Sequence, residues 1–209
     1  SLARVAAQAG RATDALTAVN QVLADQAQLT ASTVITAHGR AAALYLAQGD
    51  ATRAEQHLAQ AASSCSASCT DAAALVVLRA RLALAQQQPA LALKLTSDAL
   101  AMPVLAVATL PRLQPQASAE RANALRIQAQ AQSELGQHSA AAIAAGAALE
   151  LDRPLGLADR VLLDLQLLAK AHRALGATAL AQHYQTLAER AQAAALALRG
   201  ETATNLQAN

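Results

Sequence analysis

A turn residue followed five positions later by Ala recurs along this chain, and that register constrains the fold more than any other feature. The pairs are Gly10/Ala15, Gly49/Ala54, Gln87/Ala92, Gly136/Ala141 and Gly176/Ala181, with spacings of 39, 38, 49 and 40 residues between turns. The copy over residues 34–62 shows the logic. Ala42, Tyr45 and Leu46 fall at i, i+3 and i+4 and make one face of a helix. Gly49 can end that helix in a left-handed conformation, and Asp50 can cap the next one. Ala54, Leu58 and Ala61 then form the apolar face of a second helix. A helix pair this short cannot bury both faces alone and needs neighbours stacked on it. Five hairpins in an all-α, right-handed superhelix are the expected architecture.

Composition supports helices packed closely. Hydrophobic residues make up 54% of the 209, but aromatics only 1%, with no Trp and no Phe. The core therefore rests on Leu, Val, Ile and many Ala, the residue of best helix propensity. No useful stretch alternates with period two, so no sheet is expected. The net charge of +2 is too small for a dedicated nucleic-acid binder, and no basic run with interleaved aromatics exists. No uninterrupted apolar run is long enough to cross a membrane.

These hairpins resemble tetratricopeptide repeats, whose pattern is W-x2-L-G-x2-Y, then A-x3-F, then P. The matching positions over the second copy are His38, Ala41, Ala42, Tyr45, Ala54, Leu58 and Ser66. The small residue, the Tyr and the Ala are kept; the Trp, Phe and Pro are not. The Gly136 copy carries Leu125, Ala129, Ala141 and Ala145 and ends on Leu149 to Pro154. The Gly176 copy carries Leu165, Leu168, Ala169 and Ala181. Every spacing exceeds the family's 34 residues, so the resemblance is to a degenerate, elongated form. It implies a non-catalytic protein–protein interaction module or scaffold holding a peptide or helix in a concave groove.

In that register the groove positions are Thr36, Ala43, Leu46, Val77, Arg81 and Leu84 in the second and third hairpins. In the fourth and fifth they are Asn123, Arg126, Gln130, Gln166, Lys170 and Arg173. The expected partner is a protein or peptide with an apolar part near Leu46 and Leu84 and an acidic part near Arg126, Lys170 and Arg173. Arg suits bidentate carboxylate recognition. Two other functions fit the same residues: an assembly subunit using its outer face, or a small-ligand-binding protein.

No motif in the chain calls for an enzyme, a cofactor or a metal. His38, His57, His138, His172 and His183 lack metal-ligand spacing, with His57 expected on a solvated helix surface and His172 buried and hydrogen-bonded. Glu150 and Asp152 read as solvated residues at a helix end. Cys65 and Cys69 lie in a Ser-rich loop; a small disulfide is the expected state, with two free thiols as the other reading. A disulfide would imply an oxidising compartment such as the bacterial periplasm, with the cytoplasm as the alternative. Ser1 stands before a helix too short for the repeat, which reads as a trimmed N-terminus whose missing segment would carry targeting or membrane attachment, as in a lipoprotein.

One repeat domain is expected over residues 1–199, with a polar tail over 200–209 after a stop at Gly200. The long third spacing reflects an insertion at about 101–118, where Pro103, Pro111 and Pro115 bracket an apolar run and oppose a long helix. That insertion is read as a loop packed over the stack, or as a flap that meets a partner.

Overall fold

A computed structural model describes residues 2–65, 69 and 71–207. Helices account for all the regular structure among them. The chain divides into two compact units, residues 1–99 and 100–209.

The first unit begins with α1 (Leu2–Ala24) and a 3-10 turn at Gln26–Gln28, followed by α2 (Ala31–Gln48) and α3 (Ala51–Ser64). It continues through α4 (Ala72–Ala85) into α5 (Pro89–Ala101), near whose end the boundary falls. The second unit holds α6 (Pro103–Ala106), α7 (Pro115–Glu134), α8 (His138–Asp152), α9 (Ala158–Ala174) and α10 (Thr178–Gln207). In the first unit α2 packs on both α3 and α4; in the second α7 packs on both α8 and α9. A helix thus meets its hairpin partner and the first helix of the next hairpin.

The turn register has a definite geometry. Gly49, Gln87, Gly136 and Gly176 all take the left-handed conformation, at φ of 80°, 59°, 74° and 73°. The residue after each donates its N–H to the carbonyl five positions back: Asp50 to Tyr45 and Ala177 to His172 at 2.9 Å, Gln88 to Ala83 and Gln137 to Gln132 at 2.8 Å. That is the closure of a helix C-terminus through a left-handed residue. The same residue's carbonyl then accepts from the Ala four positions on, opening the second helix at Ala54, Ala92, Ala141 and Ala181. All four Ala side chains are buried. Ala recurs because the first turn of the second helix lies against the helix it has just left, and a larger side chain would overpack the contact.

Three expectations change here. α1 runs unbroken through Gly10, so the first pair marks no hairpin. In an Ala-rich run one interior Gly costs about 1 kcal/mol, and helix propagation wins. For the same reason α10 passes through Gly200 to Gln207, where a stop and a tail were expected. The insertion contains one helical turn, α6, and α7 starts at Pro115, whose missing N–H costs nothing in a first turn. Among the described residues no helix is long and apolar enough to cross a membrane.

Candidate functional site

The predicted groove positions fall in both units. In the first, Val77 is buried, while Leu46, Arg81 and Leu84 are half-buried. Burial holds the Arg81 guanidinium below its ordinary pKa. In the second, Asn123 and Gln130 on α7 are half-buried, and Gln166, Lys170 and Arg173 on α9 are exposed.

Arg126 is the exception, because it points inward. Its side chain is buried beneath α8 and α9, with only 5% of the residue exposed. Nε donates to Asp164 Oδ1 at 2.7 Å and Nη2 to Asp164 Oδ2 at 3.3 Å. Nη2 also donates to Asp152 Oδ2. Both aspartates are fully buried. The expectation of a groove-facing Arg126 is therefore corrected: its donors are taken by two carboxylates of its own chain. Asp152 is corrected too. It ends α8, but the α8 helix end packs inward here rather than into solvent.

Two acids against one guanidinium leave the cluster short of positive charge. Burial pushes the Asp164 carboxyl up to about 6; Arg126 pulls the other way, and the adjacent Asp152 adds to the rise. Asp152 is raised by burial as well, with Arg126 and Arg160 opposing. Arg160 Nη1 donates to the Ala119 carbonyl at 3.0 Å, so α9 holds α7 at a second point. Glu120, close to Arg160, is also raised by burial, against the pull of Arg160 and a hydrogen bond from Asn123. Asp152 Oδ1 has no hydrogen-bond partner among the described residues. The cluster is an internal lock joining α7, α8 and α9.

One signal for this lock lay in the sequence. Asp164 shares a stripe with Val161, Leu165 and Leu168, at i−3, i+1 and i+4. A charge on an apolar stripe needs a buried partner.

The first unit holds a ring cluster. His38 Nδ1 lies 2.9 Å from His57 Nδ1, so one ring donates and the other accepts. His57 stacks on Tyr45 at 5.4 Å between centroids, and the Arg53 guanidinium lies 5.5 Å from the Tyr45 centroid. Burial lowers the pKa of both histidines, and for His38 the neighbouring His57 lowers it further. His57 is thus half-buried and bonded, where a solvated ring was expected. His172 is half-buried and stacks on Tyr184 at 5.4 Å between centroids. Cys65 and Cys69 are joined in a disulfide with their Cα atoms 5.3 Å apart.

The insertion combines anchoring with exposure. Leu105 and Ala108 are buried. Arg121 Nη1 donates to the Leu105 carbonyl at 2.7 Å, and Ser118 Oγ to the Ala108 carbonyl at 3.4 Å. α7 thereby holds the insertion's backbone at Leu105 and Ala108. Val104, Val107, Leu110 and Leu113, at every third position, point outward and are 48%, 61%, 57% and 77% exposed.

Fold and site define a class: an all-helical protein built on helical hairpins closed by left-handed turns. No protein-family description, curated protein or solved structure matches this chain.

Proposed function

We propose that this chain is a non-catalytic interaction module or scaffold of the tetratricopeptide-like kind, and that it binds a protein or peptide partner. The observation that carries this reading is the anchored insertion. A segment gripped by Arg121 and Ser118 still turns Val104, Val107, Leu110 and Leu113 to solvent. Burying an aliphatic side chain of this size is worth about 1.5–3 kcal/mol. Exposed apolar side chains gathered on one segment favour a contact surface, unlike those scattered singly. Lys170 and Arg173, exposed on α9, supply positive charge for an acidic segment of the partner. The Cys65–Cys69 bond supports an oxidising setting such as the periplasm.

The test is affinity capture from the source cell with the parent chain and with an L110Q/L113Q variant of matched helicity. Proteins held by the parent and lost by the variant are the expected result. An identical set with both refutes the insertion as the contact surface.

A further inference from the structure

The first unit carries a cleft unrelated to the insertion. It lies between α1 and α2, is open to solvent along one side, and has a volume of about 330 Å³. Its apolar side is made by Val19 and Val22 of α1 and Ala37 of α2. Its polar side is a stripe of α2, running from Ser32 and Thr33 through Thr36 to Arg40.

The two ends of that stripe differ in charge. Ser32 Oγ donates to Asp71 Oδ2 at 3.5 Å, so the Ser32 end has a carboxylate beside it. Arg40 lies eight residues on, roughly 12 Å along the helix. Among the described residues no carboxylate pairs with Arg40. Thr36 lies between. Thr17, Thr96 and Thr186 each donate their hydroxyl to a carbonyl four residues back. Thr36 makes no hydrogen bond of that kind among the described residues, which leaves its hydroxyl for a ligand. The cleft therefore offers an aliphatic wall, a hydroxyl donor and an unopposed guanidinium at one end, with an acid at the other to repel a reversed ligand.

We propose that this cleft binds an aliphatic carboxylate, with the carboxylate at Arg40 and Thr36 and the alkyl part against Val19, Val22 and Ala37. A guanidinium fork matches a carboxylate in geometry as well as charge. A cleft of about 330 Å³ lies at the small end of the range of ligand pockets. That size fits a medium-chain acid or the last two residues of an apolar peptide, two sources of one chemistry. The site stands whether or not the insertion meets a partner.

Calorimetric titration of the full chain tests it with three probes: octanoate, the peptide acetyl-Ala-Ala-Val-Leu as the free acid, and the same peptide as the amide. Saturable binding of a free acid is expected, with Kd on the order of 1 mM or below for so small a ligand. The amide should bind at least tenfold more weakly than the free-acid peptide. Arg40→Gln should weaken the free acids at least tenfold while leaving the amide unchanged; Arg40 is exposed, so the variant folds. Tighter octanoate binding assigns the site to a small acid, and tighter peptide binding to a chain terminus. Absence of saturable binding by both acids, or equal affinity in parent and Arg40→Gln, overturns the proposal.

Discussion

Replacing Asp164 by Asn should remove a pH dependence that is unusual in sign. The Asp164 carboxyl rises in the folded chain from an ordinary 3.8 to about 6 because it is buried beside Asp152. Below pH 3.8 the group is protonated whether folded or not, and its contribution is fully present. As pH rises through 6 the folded chain must hold an ionised buried carboxylate, and the contribution is lost. At about 1.4 kcal/mol per pH unit the loss amounts to roughly 3 kcal/mol in all, of which about 2 falls between pH 4 and 6.5. Most buried carboxylates bonded to Arg act in the opposite sense, because the cation outweighs desolvation; here one Arg126 serves two acids. His38 and His57 complicate a whole-chain measurement. Their lowered pKa values give stability that is present above 6.5 and lost as pH falls. The assay is therefore native-state amide exchange read separately in α7–α9 and in α2–α3. In the parent, protection in α7–α9 should fall as pH rises from 4 to 6.5 after correction for intrinsic exchange, while that in α2–α3 rises. In the Asp164→Asn variant the α7–α9 slope should shrink without vanishing, because Asp152 and Glu120, also raised by burial, lose stability in the same sense as pH rises. Identical slopes in parent and variant would refute the assignment of the titration to this lock.

Two further outcomes follow from named contacts. Arg126→Met removes the guanidinium that bonds both Asp152 and Asp164 in the buried cluster and should destabilise the second unit by about 3–5 kcal/mol in urea unfolding. Adding Asp152→Asn and Asp164→Asn to that variant should restore part of the loss, and no restoration would show that Arg126 acts through packing. Gln87 holds φ of 59° without the freedom of glycine. Gln87→Gly should therefore raise stability by about 0.5–1 kcal/mol, whereas Gly136→Ala, at φ of 74°, should lower it by about 1–2 kcal/mol; thermal unfolding of both variants checks the pair.

Features written locally were the legible ones. A left-handed residue and an Ala five positions on are set by one turn's hydrogen bonds, so Gln87 could be placed among the glycines from spacing alone. Local reasoning misread Gly10 and Gly200, because in a run of strong helix formers one glycine costs too little to stop propagation. The lock was harder to see. Arg126 lies 26 residues from Asp152 and 38 from Asp164, and a groove register assigns a residue to a face without reporting what lies beneath it. The His38–His57 contact, 19 residues apart, was hidden in the same way. The insertion was found through its prolines, but not that α7 would grip its backbone and turn four aliphatic side chains outward.

Asp152 does two things at the corner between α8 and α9. Its carboxylate bonds Arg126, and its carbonyl accepts the Leu157 N–H at 3.3 Å, closing the turn through Gly156. Asp164 ties α9 to the same guanidinium. A pull that peels α9 from α8 therefore loads two routes side by side: the turn itself, and the path from Asp152 through the Arg126 guanidinium to Asp164. Routes loaded side by side share the force, so separating α9 from α8 has to break the weaker link of the guanidinium path as well as open the turn.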